Sequence, residues 1–165
     1  MDKPVQPAKN VEISLSYRDG DLGGADKNKL VVARYDNEHS VWVPLFSSRD
    51  AGSNKVRGES NHFSIFQIMQ STPTQDLSNV TIGPNILRPG RDPGQSMTFR
   101  NLPEDARVRI YTLVGELLHD TAGDGTGIAV WNGRNQAGKP AASGIYIALI
   151  EAGGKKKVFR VAVER

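Results

Sequence analysis

Residues His62, Phe63 and Ser64 form a triplet that could cut its own peptide bond. In an extended strand alternate side chains share a face, so the imidazole of His62 would lie on the same side as the hydroxyl of Ser64. Ser64 Oγ would attack the carbonyl carbon of Phe63, the acyl group would move from nitrogen to oxygen, and water would hydrolyse the ester. Serine is a weak nucleophile without a base, so His62 would take the hydroxyl proton. One hypothesis is therefore cleavage between Phe63 and Ser64.

The same segment is also consistent with a strand of the hydrophobic core that has no catalytic role. No Gly or Pro interrupts residues 62–69 to strain the peptide bond that would break. The apolar side chains would line both faces of this strand: Phe63, Ile65 and Met69 on one face, Phe66 and Ile68 on the other. We favour this interpretation, and we expect the protein to have no enzymatic activity.

Two tryptophans are the candidate binding residues. Trp42 lies in an apolar run, and Trp131 opens the stretch WNGRNQAG. An aromatic face beside amide groups could stack on a sugar ring, which would make Trp42 or Trp131 part of a carbohydrate-binding surface. For Trp131 a structural role is favoured, because a large side chain at the end of a strand buries much apolar area and the following Asn and Gly residues suit a turn.

No metal or cofactor is predicted. The chain has no cysteine, which excludes disulfides and Cys-ligated zinc. The other two histidines, His39 and His119, do not form a metal-ligand spacing with His62. The loop DGDLGGADKN at 19–28 has three aspartates, but it lacks the order of ligands that a helix-loop-helix calcium site requires. A solvated loop is the favoured interpretation.

Composition and charge favour a non-catalytic, all-β protein. The 165 residues carry a formal net charge of +3, and the cations are scattered along alternating strands. Nucleic-acid binders instead gather cations on one face with stacking aromatics between them, so no nucleic-acid partner is expected. No stretch approaches the roughly 20 apolar residues of a membrane span. The first ten residues do not resemble a signal peptide, and if the parent is exported, its signal lies outside this chain.

Short apolar runs separated by turn formers predict many strands. We expect strands in the first part of the chain at 11–17, 29–36, 39–46, 54–60 and 62–69. We expect strands in the second part at 79–82, 96–100, 106–113, 116–121, 127–131, 144–151 and 157–164.

Alternation within these runs predicts which side chains face the core. In 106–113, Val108 and Ile110 should face inward, and in 157–164, the inward set should be Phe159, Val161 and Val163. The polar stretch QSTPTQDLS suggests a linker at 73–78. The sequence therefore predicts two tandem β-sandwich-like modules, 1–72 and 79–165.

From Asn85 to Arg165 the chain resembles the immunoglobulin-like domain named after the flagellar hook-capping protein. The motifs are Asn85-x-x-x-Pro89, NLP before a strand, the IYTLVGEL hairpin, the turn beginning at Trp131, and SGIY before the penultimate strand. The family's usual aspartate after the tryptophan is Asn132 here. The resemblance implies an immunoglobulin-like sandwich. Such domains commonly close large secreted or surface proteins of bacteria, and related ones serve as sorting signals for export.

The runs LVVARYDNEHSVWVPLF and NHFSIFQIM look like the end of a β-rich repeat of bacterial surface proteins, and they are similar to the ZU5 domain of eukaryotic scaffold proteins. Some ZU5-containing proteins cut themselves between the Phe and Ser of His-Phe-Ser. This resemblance implies the cleavage described above and an incomplete first module, the end of a larger domain.

The sequence as a whole predicts a non-catalytic, structural C-terminal region of an exported bacterial surface protein, which anchors or sorts the larger polypeptide. The expected location is extracellular or at the cell surface. The expected partners are the rest of a larger polypeptide, a chain that adds a strand to an exposed sheet edge, or cell-surface or secretion machinery. Self-cleavage at Phe63-Ser64 and a carbohydrate- or protein-binding module are the alternatives.

Overall fold

The computed structural model describes residues 7–50, 52–91 and 95–165. The first six residues, part of the stretch in which no signal peptide is predicted, lie outside the described residues. The chain forms two compact units that divide between Ser71 and Thr72. Every sheet in both units is antiparallel, which confirms the predicted all-β class. Within the described ranges, no helix is long and apolar enough to cross a membrane.

The described residues of the first unit form six strands in two three-stranded sheets. The strands are β1 (Val11–Ser16), β2 (Leu30–Asp36), β3 (Val41–Pro44), β4 (Ser47–Asp50), β5 (Lys55–Ser60) and β6 (Phe66–Gln70). One sheet has the order β1-β5-β4 and the other β3-β2-β6. The Gly- and Asp-rich loop between β1 and β2 contains two single turns of 3-10 helix, Asp19–Leu22 and Lys27–Lys29.

A small core lies between these two sheets. Leu30, Val32 and Val56 are fully buried in it, and partly buried side chains surround them: Ile13, Leu15, Tyr17, Leu22, Ala25, Leu45, Phe66 and Ile68. The sheets approach closely at Gly58, where an added Cβ would lie 3.1 Å from Val32 Cβ. Most of the apolar side chains that face this core are therefore only half covered.

Two features of this unit differ from the sequence predictions. The strand predicted at 62–69 begins only at Phe66, because residues 61–65 form the connection from β5 in one sheet to β6 in the other. Phe63 and Ile65 are consequently 59% and 63% exposed, so they do not line a buried strand. The polar segment Ser47–Asp50, which no apolar pattern indicated, is a strand because it pairs with β5.

The second unit is a larger sandwich, in which residues 72–91 and 95–165 form seven strands. They are β7 (Thr81–Gly83), β8 (Met97–Arg100), β9 (Arg107–Tyr111), β10 (Leu117–Ala122), β11 (Ala129–Trp131), β12 (Gly144–Ala152) and β13 (Lys155–Val163). A four-stranded sheet has the order β10-β9-β12-β13, and a three-stranded sheet has the order β11-β8-β7.

The inward faces agree with the predicted alternation. On β9, Val108 and Ile110 are fully buried, and on β13, Val161 and Val163 are buried with Phe159 packed against the same core. The alternation succeeds here because each strand has one face toward the other sheet. The largest buried side chains of this core include Phe99, Leu87, Met97, Leu102 and Trp131.

The polar stretch suggested as a linker, residues 73–78, lies within the second unit. Thr74 N donates to Leu102 O at 3.0 Å, and Thr74 Oγ1 donates to Asn101 O at 2.8 Å. Leu77 is 5% exposed and belongs to the core. Residues 73–78 are therefore attached to the second unit by a few hydrogen bonds and one buried side chain, although their composition alone indicates a flexible linker.

Both edges of the four-stranded sheet are covered in part. At the β13 edge, Leu87 exchanges hydrogen bonds with Ala162 O and Glu164 N, each at 2.9 Å. The amide of Asn85 extends this contact by donating to Arg160 O and accepting from Ala162 N. At the β10 edge, Gln136 donates to Leu118 O and Asp120 O. These contacts satisfy backbone groups through which another strand would otherwise pair.

Candidate functional site

The triplet lies on the exposed connection between β5 and β6. The hydroxyl of Ser64 donates to the carbonyl oxygen of Tyr35 at 2.6 Å. The buried hydroxyl of Ser60 holds the chain just before the triplet, because it donates to His62 O and accepts from His62 N. His62 and Phe63 are both exposed. A hydroxyl has one proton, so Ser64 cannot give it to a base while it donates to Tyr35.

Trp42 lies across the β2–β3 pair from Tyr35, and their ring centroids are 5.1 Å apart at an interplanar angle of 60°. Tyr35 N donates to Ile65 O on the other side, so the three residues form one row across neighbouring chain segments. Trp42 and Tyr35 are partly exposed. The sequence indicated Trp42 without neighbours, whereas the structure places the aromatic Tyr35 and the exposed aliphatic Ile65 in the same row.

The turn between β2 and β3 brings ligand-type atoms of Asp36, Glu38 and His39 within 4.8 Å of one another. Asp36 Oδ1 accepts from the backbone N–H groups of Glu38 and His39, and Asp36 Oδ2 lies 3.2 Å from His39 Nδ1. The hydrogen bond with the His39 ring, aided by those N–H groups, lowers the pKa of Asp36. These contacts are those of an aspartate that closes a turn.

Two of the three aspartates of the 19–28 loop, Asp19 and Asp26, bind other side chains or the backbone. Asp19 pairs with Lys27 at 2.7 Å and accepts from Asn54 at 3.2 Å. Asp26 accepts from Asn28 N at the start of a 3-10 turn. These contacts agree with the interpretation of the segment as a solvated loop.

Trp131 is fully buried in the second unit, away from any surface on which a sugar could stack. Its indole N–H donates to Arg134 O at 2.8 Å, and its ring packs edge-on against Tyr146 with centroids 5.8 Å apart. Of the two tryptophans nominated from the sequence, Trp42 is therefore the one with accessible ring surface.

Arg165 holds the turn that follows Trp131. Its guanidinium donates to Ala141 O at 2.6 Å and to Gly133 O at 2.9 Å, and its backbone N–H donates to Ser143 Oγ at 3.0 Å. Gly133 has a φ of 70°, and a Cβ there would lie 2.9 Å from Leu87 Cδ2. The side chain of Arg165 and the absence of one at Gly133 thus keep this turn in place.

A row of alternating charges crosses one half of the outer face of the four-stranded sheet. Asp120 on β10 pairs with Arg107 at 2.7 Å and with Arg109 at 3.3 Å, and Arg109 also pairs with Glu151 on β12. Lys156 on β13 completes the row at 3.0 Å from Glu151. The hydrogen bond from Arg107 is the main reason that the pKa of Asp120 is lowered, and that from Lys156 lowers the pKa of Glu151.

The other half of this outer face is mainly apolar, with the exposed Arg160 of β13 opposite Ile147. On β12, Ile145 is 52% exposed, and Ile147 and Leu149 on the same face are partly exposed. Val158 lies opposite Leu149 on β13 and is 58% exposed, and Tyr111 lies opposite Ile147 on β9. This surface was not predicted from the sequence. The run GIYIALI could have indicated it, because it places apolar side chains on both faces of a strand.

His119 lies on the inner side of β10, opposite the buried Ile110 and next to an irregularity in the β9–β10 register. Among the described residues, its Nδ1 atom is buried and has no hydrogen-bond partner. Burial lowers the pKa of His119, and neighbouring Asp120 opposes this effect. The folded unit therefore favours the neutral imidazole.

No protein-family model matches the chain, and no curated protein matches it. The resemblances to the hook-capping and ZU5 families thus remain predictions. Among solved structures, the chain is similar to PorZ, an essential bacterial surface component of the type-IX secretion system of Porphyromonas gingivalis. The identity is 28% over 73% of this chain and 15% of PorZ, with a TM-score of 0.47. A second similar structure is dimeric latent PorU from the same organism, with 15% identity over 86% of this chain and 17% of PorU and a TM-score of 0.35.

Proposed function

We propose that this chain is a non-catalytic C-terminal region of an exported bacterial surface protein, and that it anchors or sorts the polypeptide to which it belongs. The observation that carries the proposal is the apolar half of the outer face of the β10-β9-β12-β13 sheet. Exposed apolar patches bounded by polar residues mark sites of protein association. The proposed location is the cell surface or the extracellular space.

The composition of this face defines the partner. Its cations are Arg107, Arg109, Lys156 and Arg160, and its anions are Asp120 and Glu151. Four positive and two negative charges leave a net charge of +2 on the face. A protein of the export or anchoring machinery with an apolar centre and an acidic margin would complement it.

The surrounding structure favours recognition through this face. Residues of the 85–87 segment and Gln136 occupy the two edges of the sheet, so strand addition there is hindered. Inside the unit, the buried residues of β9, β12 and β13 fix the sheet on its core. A rigid, pre-formed surface loses little conformational entropy when it binds.

The experiment is export of a secreted reporter fused to the N-terminus of the full chain, in a bacterium with a type-IX secretion system. Reporter at the cell surface or in the medium is compared for the parent fusion and for Val158→Glu and Ile145→Glu variants. Both side chains are more than half exposed, so the variants should keep the fold. We expect each variant to lower export at least about fivefold, because a buried unpaired carboxylate opposes association.

A matched control is Val41→Glu, which changes an apolar side chain that is 48% exposed in the first unit. It should leave export unchanged, and circular dichroism should show the same melting temperature for all folded variants within about 2 °C. If the parent fusion is not exported, or if all three substitutions reduce export equally, the chain does not sort its parent through this face.

We propose carbohydrate binding as a second candidate function. The observation in its favour is the partly exposed pair of Trp42 and Tyr35 on one sheet face. Aromatic faces stack on sugar rings, and Trp42 fluorescence would report such binding. A glycan array with the parent chain and a Trp42→Ala variant tests it. Equal signals from the two, or no signal from the parent, would rule out this role for Trp42.

A further inference from the structure

The first unit has an edge strand that is open to pairing. β1 pairs with β5 on one side, and no other described strand pairs with it. Tyr17 N donates to Asn54 O on the β5 side. Because backbone groups alternate in direction along an antiparallel strand, the N–H and C=O groups of Glu12, Ser14 and Ser16 point to the open edge.

A groove with both polar and apolar lining lies beside this edge. Its volume is about 460 Å³, and it is lined by the end of β1, the 19–28 loop and the end of β6. Leu15, Leu22 and Ile68 contribute apolar surface to it. Leu15 and its neighbour on the same face, Ile13, are only partly buried. A strand added to the β1 edge would place alternate side chains over this surface.

β1 lacks three features that often protect an edge strand, namely proline, lysine and a bulge. It contains no proline and no lysine, and its six residues pair with β5 without a bulge. The second unit differs, because Asn85, Leu87 and Gln136 occupy the corresponding edges of its larger sheet.

We propose that the strand that pairs with β1 is β1 of a second copy of this chain. An antiparallel register that places Ser14 opposite Ser14 of the second copy uses every edge-facing group of Glu12, Ser14 and Ser16. Glu12 then lies opposite Ser16, so no like charges meet. On the inner face, Ile13 lies opposite Leu15, and both lose contact with water.

The charges at the ends of β1 match this register. Arg18 follows the strand, is exposed, and keeps an extended backbone with φ −106° and ψ 142°. In the proposed register Arg18 lies diagonally across from Glu12 of the second copy, within reach of long side chains. Glu12 contacts Arg57 of its own chain only at 3.7 Å, with its side chain 65% exposed. Two symmetric Glu12–Arg18 pairs would therefore flank the interface.

The natural absence of cysteine gives a direct test of the register. Directly opposed residues in a hydrogen-bonded antiparallel pair have Cα atoms about 5.5 Å apart, a distance that a disulfide spans. Full-length Ser14→Cys should form a disulfide-linked dimer under mild oxidation. The matched control is Ser48→Cys, an exposed position on β4 at the opposite edge of the same sheet. It should stay largely uncrosslinked.

A second test uses charge. Ser14→Lys places two lysines opposite each other and should raise the dimer dissociation constant at least about tenfold by analytical ultracentrifugation, whereas Ser48→Lys should not. Ser14→Asp should weaken the dimer in the same way. An equimolar mixture of Ser14→Lys and Ser14→Asp should restore a heterodimer, which a merely misfolded variant would not do.

A concentration-dependent dimer of the parent chain, selective Ser14→Cys crosslinking and recovery in the mixture would together support the proposal. A parent chain that stays monomeric to about 1 mM would overturn it, as would equal crosslinking at Ser14 and Ser48. Failure of the charge mixture to recover the dimer would reject this register. These outcomes are independent of reporter export, which tests the second unit.

Discussion

The hydroxyl of Ser64 donates a hydrogen bond to the main-chain carbonyl of Tyr35, 2.6 Å away. This hydrogen bond holds the segment that connects the two sheets of the first unit against the C-terminal end of β2. It also occupies the proton that cleavage of the Phe63–Ser64 bond would require His62 to remove. The same side chain that suggests chemistry in the sequence therefore has a structural partner in the fold.

We expect the purified, denatured protein to have one intact mass, near 18.0 kDa. Ser64→Ala should lower the free energy of unfolding by about 1 kcal/mol, because the carbonyl of Tyr35 loses a hydrogen-bond donor. Mass spectrometry and urea denaturation measure the two effects. Two fragments that meet at Phe63 and Ser64, and their absence in Ser64→Ala, would instead establish self-cleavage.

The two tryptophans should differ strongly in their effect on stability. Trp131→Ala leaves a large cavity and an unpaired Arg134 carbonyl, so it should cost about 3–5 kcal/mol. Trp42→Ala removes a partly exposed ring beside Tyr35 and should cost about 1–2 kcal/mol. Calorimetric unfolding of both variants gives the comparison. Equal losses would show that Trp42 supports its unit as much as Trp131 does.

His119 should make stability depend on pH above the range in which carboxylates titrate. Burial lowers its pKa below 6.5, so the unfolded chain binds this proton more readily than the folded one. Stability from the neutral imidazole is then complete above about pH 6.5 and falls as the pH drops below that value. Asp120, whose pKa is lowered from 3.8, loses its contribution only in more acidic solution.

The measurement is the urea midpoint of the parent and of His119→Leu at pH 7.5 and 5.5. His119→Leu should reduce the difference between the two pH values. If His119→Leu keeps the full difference, another group is responsible for the pH dependence.

Two glycines in the turn after β11 provide a matched pair. Gly138 has a φ of 76° and no atom within 4 Å of an added Cβ, so Gly138→Ala should cost about 1–2 kcal/mol from backbone strain alone. Gly133 has a φ of 70°, and its Cβ would lie 2.9 Å from Leu87 Cδ2. Gly133→Ala should cost about 1–3 kcal/mol more. Equal melting temperatures of the two variants would contradict the packing argument.

Where apolar and polar residues alternate along a strand, the sequence correctly predicted which side chains are buried. Val108 and Ile110 on β9, like Val161 and Val163 on β13, are buried as predicted, because a strand with one covered face leaves a period-two pattern. The pattern failed at Phe63, where an apolar residue lies in an exposed connection. Apolar type alone does not distinguish such a residue from one in a core strand.

Long-range contacts explain the features that the sequence did not reveal. The strand Ser47–Asp50 has no apolar periodicity and exists because β5 pairs with it. Thr74 and Leu77 belong to the second unit through contacts with distant residues, although their neighbours have the composition of a linker. Among the candidate site residues, burial separates Trp131 from Trp42, and burial depends on the packing of two sheets rather than on local residue type.

The contact between Leu87 and β13 also determines how the second unit would respond to mechanical tension. Leu87 lies parallel to Val163, and its two hydrogen bonds reach Ala162 and Glu164, with Asn85 adding two more. Tension along the chain pulls these two parallel segments in opposite directions. The four bonds then bear the load in shear, so this contact would resist extension of the second unit.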